Sequence, residues 1–273
     1  MNKNKLILGM IISLLILLTA CDINSSEENI ITSQNNISIE VEDSNTHTKE
    51  ENNNFEDVSA SKSDYTFIEQ SYISSENSNN IIINYPQLSN VEDITKQKAI
   101  NAIIKNESLK VLSTYDASVE NLTLKINYEI KFNDTDIISI AYSGVGYVKG
   151  AAHPNKLYYT TNVNVEKATK LRLEDMITLD EKFVQKILNG EFTVLNEDQE
   201  TVLSLYTNDE LMERLTYADT MGENDRYTYA FSYFTEDVLG ISFSVPYGAG
   251  SHLEIEIHYE EIESHMHDNI TLN

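Results

Sequence analysis

Between Leu122 and Phe132 the chain alternates without a break. Leu122, Leu124, Ile126, Tyr128, Ile130 and Phe132 take every second position, with Thr123, Lys125, Asn127, Glu129 and Lys131 between them. Side chains along a strand point to opposite faces with a period of two, so this pattern demands a strand with one buried and one wet face. An antiparallel sheet covered on one side is the ordinary setting for it. Asn133-Asp134-Thr135-Asp136 turns the chain, and Ile138, Ile140 and Tyr142 begin the return strand. The two aspartates are read as turn chemistry, because neither a glycine nor a late glutamate completes a calcium loop.

Other elements follow from the same reasoning. Tyr65 and Phe67 open a strand, and Ile81-Ile82-Ile83 lie in a second that ends at Pro86. A helix capped by Asn90 carries Ile100, Ile103, Ile104 and Val111 at helical spacing. Leu157 to Val165 is a strand, and Leu171 and Leu173 lead into a short helix near Met176. A helix from Glu181 to Leu188 is capped by Asp180 and stopped by Gly190, and another from Asp209 to Tyr217 is capped by Asn208. Strands return at the end: Tyr227, Tyr229, Phe231 and Tyr233 alternate, Val238 to Val245 follows, and Leu253, Ile255, Ile257 and Tyr259 alternate again. Strands interspersed with helices and joined by short turns predict an α+β fold, with antiparallel sheets, a few packed helices and two intertwined subdomains.

The N-terminal part reads differently. Lys3 and Lys5 precede 13 residues, Leu6 to Leu18, that are almost all apolar. That is too short for a membrane-crossing helix, which needs about 20 apolar residues, and it suits a cleaved secretory signal. The run Leu18-Thr19-Ala20-Cys21 resembles the lipobox of bacterial lipoproteins, which makes Cys21 the expected lipidation site and the expected location extracytoplasmic, anchored by acyl chains to the bacterial cell membrane. Cys21 is the sole cysteine, so no disulfide framework is available. From Asp22 to about Lys62 the chain is rich in Asn, Ser, Glu and Thr and has no apolar period, as a polar tether would be. The expected organisation is a signal at 1–20, a tether at 21–62, subdomains at 63–155 and 156–264, and a tail at 265–273.

Charge narrows the partners. The chain has 19 Lys and Arg against 44 Asp and Glu, a formal net charge of −25, and loss of Lys3 and Lys5 on cleavage would make it more negative. Such a surface repels phosphate backbones, so no nucleic acid is expected as a partner. A cationic partner would be attracted, chiefly through its association rate.

Three segments carry a family resemblance. They are Gly150-Ala151-Ala152-His153-Pro154-Asn155, then Tyr158-Tyr159-Thr160, then Leu171 to Ile177. Together with Tyr85-Pro86-Gln87-Leu88-Ser89 and with Pro246-Tyr247-Gly248-Ala249-Gly250 after the strand Val238 to Val245, they resemble a pair of extracytoplasmic domains of unknown function. That pair occurs in the surface region of RsiV-type anti-sigma factors, which sense lysozyme, and beside the catalytic domain of some peptidoglycan deacetylases. The resemblance covers about Asp64 to Ile262. It implies a binding or sensing module without a catalytic centre of its own, with His153, Asn155 and Tyr247 as ligand-binding candidates. RsiV-type proteins hold a sigma factor through a cytoplasmic segment joined to a membrane-spanning helix. A lipobox stands in place of both here, so sigma-factor binding is not implied.

The remaining motifs are bland. Gly144-Val145-Gly146-Tyr147-Val148-Lys149-Gly150 is one residue too long for a dinucleotide loop, and no helix follows; the glycines are expected to permit twist or a bulge, and no cofactor is expected. His252, Glu254, Glu256 and His258 share one strand face but sit about 6.7 Å apart along it, so a solvated face is expected. No metal site is assigned; His252 and His258 are the nearest the sequence comes to one. His265-Met266-His267 falls near an end expected to fray. No H-E-x-x-H or G-x-S-x-G motif is present. The expectation is a non-catalytic surface module for a cationic, lysozyme-like protein or a cell-wall component such as peptidoglycan. The alternative is an envelope hydrolase or an accessory domain to a peptidoglycan-modifying enzyme.

Overall fold

The computed structural model describes residues 65–196, 199, 201–223 and 230–267. The signal, Cys21 and the tether lie outside them, as do Tyr227 and Tyr229. The fold is α+β, with one six-stranded and one four-stranded sheet, both dominated by antiparallel pairing.

The first sheet runs in sequence order. Strand β1 (Thr66–Ser74) pairs antiparallel with β2 (Asn80–Ser89), which continues past Pro86. Proline donates no ladder hydrogen bond, and here it needs none: beyond Ile83 no strand among the described residues pairs with the other edge of β2. Helix α1 (Ile94–Leu109) then carries the chain across, so that β3 (Leu122–Asn133) joins β2 in parallel. A parallel pair requires such a crossover. The cap of α1 is Asp93, whose carboxylate accepts from the amides of Thr95 and Lys96. Asn90 has φ +69, outside the extended region that an N-cap occupies.

The alternation of β3 is realised as read, with Leu122, Leu124 and Ile126 buried and Thr123, Lys125 and Asn127 exposed. Asp134 closes the following turn by accepting from the amides of Asp136 and Ile137. Strand β4 (Ile137–Val148) is buried on both faces from Ile137 to Tyr142, and β5 (Asn155–Asn164) from Tyr159 to Asn164. Helix α1 lies on one side, burying Ile100 and Ile104 with Tyr142 and Tyr159. The second sheet lies on the other. Strand β6 (Thr169–Leu171) completes the first sheet. The expected subdomain junction at 155/156 therefore coincides with the start of β5, inside this sheet, and the change of sheet comes after Leu171.

Helices α2 (Leu173–Met176) and α3 (Glu181–Leu188) follow, then the short β7 (Thr193–Val194) and α4 (Asn208–Thr216). Asp180 caps α3 as expected. The cap of α4 is Thr207, one residue before the expected Asn208: its hydroxyl accepts from the Glu210 amide while the Glu210 carboxylate accepts from the Thr207 amide. Strands β8 (Ala230–Phe234), β9 (Val238–Ser244) and β10 (His252–His258) form the second sheet in the order β7-β10-β9-β8. A last helical turn, α5 (Tyr259–Ile262), begins at the tyrosine expected to end the strand. Beyond it the chain is pinned, which corrects the expected fraying: Met266 bridges Ile177, the His267 amide donates to the Met176 carbonyl, and His265 faces Asp180 at 3.4 Å.

Each sheet has its own apolar core, and the cores exchange members. Phe132 and Ile137 of the first sheet pack among Phe183, Leu211, Leu239 and Phe243, while Phe231 of the second packs with Tyr159. A polar seam joins the sheets. Thr160 and Asn162 of β5 donate to the Ser232 carbonyl of β8, and the Phe234 amide donates to Ser139 of β4. Asp219 anchors the seam, accepting from the Ser232 amide and hydroxyl and from the Leu173 amide. Every member of this buried network thereby has a partner.

Candidate functional site

Where the seam opens to solvent, the two sheets bound a cleft of about 1040 Å³. One wall is the start of β5, with His153, Asn155, Lys156 and Tyr158; the other is the end of β9 and the turn into β10, with Ser244, Tyr247 and His252. Tyr115 and Phe231 lie between them, and Tyr206 and Arg214 come from the segment around α4. The volume stands at the upper limit of small-ligand sites, about 300–1,000 Å³.

Two ring stacks cross the cleft. His153 and Tyr247 lie with centroids 3.8 Å apart and planes 13° from parallel. Tyr158 and His252 lie 5.0 Å apart at 22°. In each stack one ring comes from each sheet. Arg214 lies 4.4 Å from the centre of the Tyr206 ring and reaches the Ser244 carbonyl at 3.5 Å. That geometry holds the guanidinium by cation–π attraction.

The polar atoms of the cleft are incompletely satisfied. Among the described residues six buried side-chain polar atoms lack a hydrogen-bond partner, and three of them line this cleft: Tyr115 Oη, Tyr158 Oη and His252 Nδ1. Tyr115 points toward Asn155 and Tyr158 toward Glu254, neither closing a bond of ordinary geometry. Burial pushes both phenols above their usual range, and the nearby Glu254 carboxylate pushes Tyr158 further. Burial also works against the charge of Glu254, but the neighbouring His252 and Tyr158 outweigh it and hold the carboxyl below the usual range. An unsatisfied buried group costs about 1–3 kcal/mol, and these three lie beneath the cleft surface with almost no exposed area of their own.

The local sequence explains how Tyr115 enters. Gly146 lies opposite it in β4, and a Cβ there would overlap the phenol oxygen. Gly144 likewise lets the Lys125 carbonyl approach. Both glycines sit inside a strand and serve close approach, where twist or a bulge was expected.

The cleft thus brings together His153, Asn155 and Tyr247, with His252 beside them. His258 is elsewhere, at the far end of β10 near Lys186 and Glu191. Among the described residues no three His, Cys, Asp or Glu side chains converge in a metal-binding group. The β10 face expected to be solvated is instead half-covered: His252 lies under Tyr158, and Glu256 accepts a hydrogen bond from Tyr233 at 3.0 Å. Sequence reasoning missed Tyr115, Tyr206 and Arg214. Tyr115 follows α1 in an irregular segment, and no local pattern marks it as facing a cleft.

No family model matches the chain, and no curated protein matches it. Solved structures do. The chain is similar to a member of the DUF3298 family from Bacteroides fragilis NCTC 9343, with 16% identity over 76% of this chain and 93% of that one, at a TM-score of 0.45. It is also similar to a DUF3298 family protein from Pseudomonas aeruginosa PAO1, with 14% identity over 77% of this chain and 95% of that one, at a TM-score of 0.46. Likeness at these identities concerns the fold alone.

Proposed function

We propose that this protein is a lipid-anchored, extracytoplasmic binding module that holds a component of the bacterial envelope in the inter-sheet cleft without transforming it. The lipobox-like Leu18-Thr19-Ala20-Cys21 supports the anchor, and the polar stretch after it supports a tether. The observation that carries the binding reading is that two cross-sheet ring stacks, Lys156 and Arg214 line one open cleft. No described residue of that lining is a carboxylate, so a carboxylate pair for glycoside hydrolysis has no described members there.

A second reading rests on charge. The net charge of −25 would attract a cationic, lysozyme-like protein to the outer surface, as the resemblance to lysozyme-sensing domains implies. The cleft itself gives such a partner little, since its charged lining is Lys156 and Arg214.

Titration of the full chain with soluble peptidoglycan fragments and with a lysozyme, each at low and moderate salt, tests both. Saturable binding of fragments without turnover supports the first reading. Salt-sensitive binding of lysozyme alone supports the second. Turnover of the fragments would replace both with the hydrolase alternative.

A further inference from the structure

The cleft departs from the rest of the chain in charge. Asp and Glu make up 44 of 273 residues, yet none of the twenty described residues lining the cleft is acidic, and Lys156 and Arg214 both are among them. Guanidinium and ammonium groups among lining residues that include no carboxylate favour an anionic group in the ligand, although Glu254 lies behind His252 at 3.4 Å. Arginine in particular presents a planar fork that matches a carboxylate.

The uncharged features are equally selective. Tyr247 lines the cleft 50% exposed, with His153 stacked on one face of its ring. A flat, backed aromatic face offers its surface to the apolar face of a ring. The volume suits a short chain of rings better than a single one.

We propose that the cleft is a subsite for a saccharide bearing a carboxylate: a sugar face lies on the His153–Tyr247 stack, and its carboxylate is held by Lys156 and Arg214. This deepens the reading of the cleft as the binding site and rests on it.

The test uses two probes that differ in one group. N-acetylglucosaminyl-N-acetylmuramic acid carries a lactyl carboxylate; N,N′-diacetylchitobiose is the same backbone without it. Calorimetric titration of the full chain should give binding of the acidic disaccharide at least about tenfold tighter than of the neutral one. Lys156→Gln should shrink that ratio. Tyr247→Ala should weaken both disaccharides alike, with an unchanged melting temperature showing that the variant folds. Equal affinity for the two disaccharides, or binding of neither, overturns the proposal. Hydrogen exchange separates the two levels of failure. If neither disaccharide binds but peptidoglycan fragments or lysozyme protect the start of β5 and the β9–β10 turn, the saccharide assignment falls and the binding cleft stands. If none of the four protects these segments, both fall.

Discussion

His153 and Tyr247 stack face to face across the boundary between the two sheets, 3.8 Å apart and 13° from parallel. His153 belongs to the turn entering β5, and Tyr247 to the turn between β9 and β10. Tyr158 of β5 and His252 of β10 repeat the contact with the residue types exchanged. Each sheet thus supplies one histidine and one tyrosine, and the cleft is closed at two points by rings that no covalent neighbour holds in place.

Because His153 is exposed and Tyr247 half-exposed, their contact adds little to folding. His153→Ala and Tyr247→Ala are each expected to change stability by less than about 1 kcal/mol, while weakening binding of the cleft ligand. Thermal melting and titration of the same samples check this. A large fall in melting temperature with binding intact would mean that His153 only shapes the turn before Pro154, whose carbonyl lies 3.3 Å from its ring nitrogen.

The Tyr158 hydroxyl is buried without a partner. Tyr158→Phe removes it without creating a new unsatisfied group, so the variant should be as stable as the parent or more so, by up to about 1 kcal/mol. Urea denaturation measures it. Destabilisation by more than that amount would show that the hydroxyl is bonded in the free protein.

Asp219 should behave in the opposite way. Its carboxylate takes hydrogen bonds from Ser232 and Leu173 at the seam, so Asp219→Ala should cost roughly 2–4 kcal/mol by stranding buried donors. Burial raises its pKa, against the hydrogen bonds from Ser232 and the nearby Lys170, which lower it. The folded state therefore binds this proton more readily than the unfolded chain. Its contribution is fully present below the unfolded value, near 3.8, and is lost as pH rises through the folded value. Denaturation of the parent and of Asp219→Asn across pH 3 to 7 should show that this component vanishes in the variant. Identical pH profiles would disprove it.

Tyr233 packs flat on Gly240, its partner across the β8–β9 pair, and a Cβ at Gly240 would overlap the ring. Gly240→Ala should cost about 1–3 kcal/mol. Gly248→Ala, in a turn with open space around it, should be near neutral. Melting of both variants side by side is the measurement, and equal effects would contradict the packing argument.

The proposed anchor has its own test. Cys21→Ser should abolish incorporation of labelled palmitate and release the chain from the membrane fraction. Retention of label would exclude Cys21 as the attachment point.

Strands and helices were legible wherever burial follows a local period. β3 shows one face to solvent, and its alternation matches its burial from Leu122 to Asn127, before the register shift between Ile130 and Phe132 blurs it. The true cap of α4 was also legible, since Thr207-Asn208-Asp209-Glu210 is a capping box. The reading of Asn208 overlooked the reciprocal bond from Glu210. Asn90 misled because a cap depends on backbone angles, which residue type alone does not set. The face of β10 misled in another way: glutamates and histidines read as solvated, but Tyr158 and Tyr233 arrive from other strands to cover them.

The order of residues along the chain determined the element types, the α+β class and the acidic balance, because each depends on neighbours within a few positions. The pairing of two sheets decided the cleft. Residues as far apart as Tyr115, Tyr158, Arg214 and Tyr247 meet there, and nothing local in their spacing encodes that meeting. Which side chains converge is set by how two apolar cores pack against each other through the Thr160–Asn162–Ser232–Asp219 seam, a contact that exists only once both sheets have formed.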